Sequence, residues 1–124
     1  MMDTRPLVSV VDDDESVRES LPDLLREFGY AVQAFPSAEE FLASGYVDQT
    51  KCLILDVAMP GMSGPDLERE VALGGYKIPI IFITALGDET VCPPLLQHGA
   101  VACLTKPFSD AALYEALDAA LRAR

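Results

Sequence analysis

The sequence predicts an α/β domain: a doubly wound, five-stranded parallel sheet in the order 2-1-3-4-5, covered by helices on both faces. Short apolar runs alternate with segments of helical period at the spacing of a βα repeat. The runs are apolar almost throughout, as strands buried on both faces must be.

The first strand is Leu7-Val8-Ser9-Val10-Val11, and it ends in Asp12-Asp13-Asp14. Val17, Leu21, Leu24, Leu25 and Phe28 then recur at helical spacing. Asp14 suits the N-cap of that helix and Gly29 its C′ position, while Pro22 in its interior predicts a kink. Tyr30 to Phe35 forms the second strand, and Ser37-Ala38-Glu39-Glu40 has the pattern of a capping box before Phe41 and Leu42. Cys52-Leu53-Ile54-Leu55 is a third strand closed by Asp56. Pro60 to Gly64 reads as loop, with Pro65 in the first turn of a helix to about Leu73. Ile78 to Ile83 forms a fourth strand ending at Thr84, and Val101 to Leu104 a fifth ending beside Lys106-Pro107. The last helix starts at Ser109 or Asp110 and buries Leu113, Leu117 and Leu121.

With 124 residues, half of them hydrophobic, the chain is expected to form one domain over 1–124. No apolar run approaches the roughly 20 residues of a membrane span, and Met1-Met2-Asp3-Thr4-Arg5 is not an apolar leader. A cytoplasmic protein without a membrane partner is expected. The net charge of −11, with basic clustering only at Arg122 and Arg124, argues against direct nucleic-acid binding, which draws on Lys and Arg. Cys52, Cys92 and Cys103 are odd in number and lack paired spacing. They are expected to form neither a disulfide framework nor a zinc site, and those within strands should be small buried hydrophobes.

In open parallel sheets, ligands bind beyond the carboxyl ends of the strands, where strand order reverses. Asp12, Asp13, Asp56, Thr84 and Lys106 all fall on that edge. Carboxylates crowded there repel one another, which raises their pKa values or demands a cation. Mg²⁺ fits such a site because it takes one or two carboxylates, keeps several waters and accepts a phosphate oxygen. A lysine supplies a second positive charge, and a threonine hydroxyl can hydrogen-bond a phosphate oxygen. Taken singly, Thr84 is an ordinary strand residue and Lys106 a surface charge; their conjunction with the aspartates makes a site.

At Val10-Val11-Asp12-Asp13-Asp14-Glu15, Leu55 to Gly64, Ile83-Thr84-Ala85 and Thr105-Lys106-Pro107-Phe108 the chain resembles response-regulator receiver domains of two-component signalling, in the FixJ-like subgroup. The resemblance implies a CheY-like, flavodoxin-like fold. It also implies that Asp56 accepts a phosphoryl group from a sensor histidine kinase. Asp12, Asp13, Asp56 and the backbone carbonyl of Ala58 would hold Mg²⁺. Thr84, with the Ala85 amide, and Lys106 would hold phosphoryl oxygens, and the Lys106–Pro107 bond would be cis. Such a chain is no enzyme toward other substrates and catalyses only its own phosphorylation and dephosphorylation. Its output would be a changed partner surface, regulating transcription through an output domain or partner.

The family's homodimer face is made by helix 4, strand 5 and helix 5. This chain departs from the pattern there. Cys103 stands where receivers carry an aromatic switch residue, and Pro93-Pro94 lies where the fourth helix runs. Because proline is confined to a first turn, that helix should start near Cys92 or Pro93 and last a turn or two, after a longer, mobile loop from Leu86 to Val91. His98 is expected as an exposed residue in its last turn. Two other functions compete. An aspartate-nucleophile phosphatase needs a second acid two residues after the nucleophile, where this chain has Ala58. A phosphorylation-independent interaction module would keep the fold and lose the switch.

Overall fold

A computed structural model describes residues 4–122. Met1-Met2-Asp3 and Arg124, read above for targeting and charge, lie outside the described residues. Strands β1 (Leu7–Val11), β2 (Ala31–Phe35), β3 (Thr50–Asp56), β4 (Ile80–Thr84) and β5 (Ala102–Thr105) form one sheet. All four pairings are parallel, in the order β2-β1-β3-β4-β5. The helices are α1 (Glu15–Glu27), α2 (Ala38–Ala43), α3 (Gly64–Leu73), α4 (Cys92–Gln97) and α5 (Asp110–Arg122), with 3-10 turns at Val47–Gln49 and Glu89–Val91. None of the described helices is long and apolar enough to cross a membrane.

Strand alternation splits the apolar side chains between two cores. Val8, Val10, Ile54, Ile81 and Ile83 face Leu21 and Leu25 of α1 and Leu113 and Leu117 of α5. Val11, Leu53, Leu55 and Phe82 face Phe41 of α2, Leu67 of α3 and Leu95 of α4. Ser9 and Thr50, both buried, share a hydrogen bond between their hydroxyls at 2.7 Å, so neither polar group is stranded.

The helix ends follow their chemistry. Asp14 caps α1 by accepting the Ser16 N–H at 2.9 Å, and Gly29, at φ 101°, turns the chain as C′. Pro22 is buried inside α1, which continues through it as one helix. Ser37 accepts the Glu40 N–H, whereas the reciprocal capping box forms at Ser63 and Asp66, which open α3. Strand β4 begins at Ile80, two residues later than predicted, because Pro79 has no N–H to give; its carbonyl still accepts from Leu53 at 3.0 Å.

Helix α4 bears out the proline argument, with Pro93 in its first turn and Gln97 its last residue. The segment before it is shorter as a loop than predicted, because Glu89–Val91 makes a 3-10 turn closed by the Val91 N–H on the Asp88 carbonyl. His98 caps the end of α4, exposed, with its Nδ1 2.7 Å from the Pro94 carbonyl oxygen.

The cysteines correct the sequence reading. Cys92 and Cys103 form a disulfide, with their Cα atoms 5.6 Å apart. Their spacing of 11 residues carries no familiar signature; the short α4 simply returns the chain to β5 beside its own first residue. Cys52 alone fits the expected small buried hydrophobe.

Candidate functional site

Parallel pairing brings the carboxyl ends of β1, β3, β4 and β5 to one edge, and each delivers its closing polar residue there. Strand β1 lies between β2 and β3, so Asp12 emerges beside Asp56. Asp56 is paired in register with Ile83, and Val57 donates to the Ile83 carbonyl at 3.0 Å. Thr84 is opposite Thr105, and Lys106 donates its backbone N–H to the Thr84 carbonyl at 2.9 Å. The Lys106–Pro107 bond is cis.

Asp12, Asp13 and Asp56 each place a carboxylate oxygen within 4.8 Å of the others. Asp12 is fully buried and Asp13 is exposed, so the group runs from the sheet edge toward solvent. One Asp12 oxygen accepts the Asp14 N–H at 2.9 Å, and the Arg18 guanidinium donates to the Asp12 carbonyl at 3.0 Å. The other, Oδ2, is paired with the Lys106 ammonium at 3.0 Å. Thr84 is buried, and its hydroxyl has only a long contact to the Asp88 carbonyl, at 3.4 Å. That hydroxyl is available to a better acceptor.

Burial pushes the Asp56 carboxyl up to about 7; the Asp12 charge adds to this and Lys106 opposes it. For Lys106, burial lowers the ammonium pKa, but the Asp12 hydrogen bond and the charges of Asp12, Asp56 and Asp14 outweigh it, leaving a net rise. Asp14 is held below the usual carboxylate range, chiefly by the Ser16 hydroxyl and N–H. Three carboxylates within 4.8 Å of one another, with a single ammonium beside them, leave negative charge uncompensated and fit a hard divalent cation with oxygen ligands.

The raised Asp56 value makes a prediction for the cation-free protein. A carboxyl whose folded pKa exceeds its unfolded one contributes stability that is full below about pH 4 and lost as pH rises through about 7. After allowance for solvent screening, the loss should be on the order of 1–2 kcal/mol. Urea unfolding at pH 5 and pH 8 in chelator would measure it. The decrease should be clearly smaller in Asp56→Asn, and an equal decrease in both would place the effect on other groups.

Two features of the site escaped the sequence reading. A Cβ on Gly64 would run into the carbonyl oxygen of Asp56 and sit 3.1 Å from the Val57 Cα, so the start of α3 packs directly on the end of β3. Gly64 also donates to the Val57 carbonyl at 3.0 Å, closing the loop after Asp56. Within that loop, Glu39 of α2 accepts the Met62 N–H at 3.1 Å. Only the strand ends were legible; which glycine makes the close approach depends on the path of the loop.

The sequence profile of the family described as response regulator receiver domain matches residues 8–118. The chain is a response-regulator receiver domain. It is 48% identical over 117 residues to Nodulation protein W of Bradyrhizobium diazoefficiens, covering 94% of this chain and 52% of that protein. It is 41% identical over 114 residues to the transcriptional regulatory protein FixJ of Azorhizobium caulinodans, covering 92% of this chain and 54% of that one. The crystal structure of FixJ-N superposes with a TM-score of 0.84 at 38% identity, covering 98% of this receiver and 96% of that chain. This receiver thus belongs with the FixJ-like proteins, and it spans about half the length of the curated relatives it matches.

Proposed function

We propose that the receiver is cytoplasmic and takes a phosphoryl group onto Asp56 from the phosphohistidine of a sensor histidine kinase, with Mg²⁺ bound at the acidic cluster. The observation that carries this is the meeting of Asp56 with Asp12 and Asp13 within 4.8 Å, with Lys106 paired to Asp12 beside them. An Asp56 oxygen attacks phosphorus, the P–N bond breaks, and the imidazole leaves with the electron pair. The product is an acyl phosphate.

Asp12, Asp13, Asp56 and the Ala58 carbonyl would hold the ion, which when bound supplies Lewis-acid stabilisation of the transferring oxygens. The nearby positive charge keeps Asp56 ionised and nucleophilic at neutral pH, against the upward pull of its surroundings. The Lys106 ammonium neutralises a second phosphoryl oxygen by turning from Asp12. Thr84 exchanges its long contact with Asp88 for a phosphoryl oxygen. That movement draws on the connection between β4 and α4, and so reaches the surface formed by α4, β5 and α5. A homodimer or output-domain contact on that surface, leading to transcriptional control, is the signalling consequence we infer.

The test is intact mass after incubation with acetyl phosphate. One phosphoryl adduct is expected with Mg²⁺, and none in chelator or in Asp56→Asn. A folded protein that gains no adduct and binds no beryllium fluoride would favour an interaction module that works without phosphorylation.

A further inference from the structure

We propose that Cys92 and Cys103 form a reversible thiol–disulfide site that fastens the first turn of α4 to β5 when oxidised and releases it when reduced. The bond is placed to do this. Cys92 is the first residue of α4 and Cys103 lies within β5, opposite Phe82 of β4. By strand alternation Cys103 shares a sheet face with Phe82 and Thr84, the face on which Leu95 of α4 packs. The segment between β4 and α4 is thereby held at two points: the Thr84 hydroxyl contacts the Asp88 carbonyl at one end, and the disulfide anchors the other.

Little else holds α4 down. It has six residues, no side-chain cap at its start, and one buried side chain, Leu95. Both linked cysteines are partly exposed, whereas Cys52 is buried and burial pushes its thiol up to about 12. Accessible bonds are the labile and regulatory ones among disulfides. In a cytoplasmic protein, as the functional reading has it, disulfides that form are characteristically transient or redox-sensing.

The chemistry is exchange with a low-molecular-weight disulfide of the glutathione class. A cysteine thiolate attacks that disulfide, one small thiol leaves, and a mixed disulfide remains. The second cysteine sulfur displaces the other small thiol. Two electrons pass to the small disulfide, and the two cysteine protons end on the two thiols released. A small thiol reverses both steps. The significance for output rests on the phosphoacceptor reading, but the exchange does not, so it is tested without any phosphoryl donor.

Folded protein is equilibrated across a series of reduced-to-oxidised glutathione ratios, trapped with maleimide and weighed intact. Two thiols should appear together in a single transition, mapping to Cys92 and Cys103, with Cys52 unlabelled. Amide hydrogen exchange across residues 86–99 should quicken at least about tenfold on reduction, because the tether on local opening is gone. The half-buried Cys92→Ser variant should exchange at the fast rate in every buffer. A bond that survives excess dithiothreitol in the folded state, or thiols that stay free in oxidised glutathione, would overturn the proposal. So would exchange across 86–99 that ignores the redox state, or a redox response that persists in Cys92→Ser.

Discussion

Gly64→Ala is expected to lower stability by about 2–4 kcal/mol, a large effect for one methyl group. The added Cβ meets the Asp56 carbonyl oxygen and lies within 3.1–3.2 Å of the Val57 Cα and the Asp56 carbonyl carbon. All three are backbone atoms at the end of β3 or in the residue after it, so no rotamer change relieves the overlap. Relief requires moving α3 outward or bending the end of β3. The first exposes Leu67, now fully buried, and the second displaces Asp56 from Asp12 and Asp13. On the phosphoacceptor reading proposed above, the variant should therefore lose phosphoryl acceptance as well as stability, with the Asp56 side chain itself untouched. Urea unfolding and intact mass with acetyl phosphate check the two halves. A variant that unfolds with the wild type would mean that α3 shifts freely, and that its contact with β3 does not position Asp56.

Lys106→Met is expected to destabilise the cation-free protein by about 2–3 kcal/mol at neutral pH. Removing one partner of a fully buried pair costs about 3–5 kcal/mol; here the Lys106 side chain remains 26% exposed, which reduces the penalty. What remains is a buried Asp12 carboxylate facing Asp56 with no ammonium between them. The sign with pH follows. Acid protonates Asp56, so the gap to wild type should narrow as pH falls below about 7. Mg²⁺ should narrow it too. An ion at ten times its Kd stabilises the folded state by about 1.4 kcal/mol, and more in the variant, where no ammonium repels it. Unfolding midpoints with and without Mg²⁺ measure this. A gap unaffected by either treatment would make Lys106 a packing residue and not the counter-charge of the cluster.

These expectations rest on residues that were largely readable in the sequence. Asp12, Asp56, Thr84 and Lys106 each terminate an apolar strand, and parallel topology sends all strand termini to one edge. No contact needs to be known to draw that conclusion. The short α4 was likewise legible, because Pro93 and Pro94 restrict a helix through backbone chemistry alone. The disulfide was not. It depends on where a six-residue helix returns the chain, which is a matter of packing. Gly64 was hidden for the same reason: nothing local distinguishes it from Gly61, whose φ of 75° is a turn requirement. What periodicity and end residues specify could be read, and what depends on two segments meeting through space could not.

The order of the sheet also has a consequence in time. Strands β1 and β3 are neighbours in the sheet but not in sequence: Val8 pairs with Cys52 and Val10 with Ile54, while β2 takes the outer side of β1. No hairpin can nucleate such a sheet, and closing the long loop between β1 and β3 costs entropy before their contacts repay it. During synthesis Asp12 and Asp13 emerge before Asp56, at the end of a strand whose inner edge stays unsatisfied until β3 arrives. The acidic crevice is assembled only when β3 docks on β1, so Asp56 cannot join Asp12 and Asp13 until that long loop has closed.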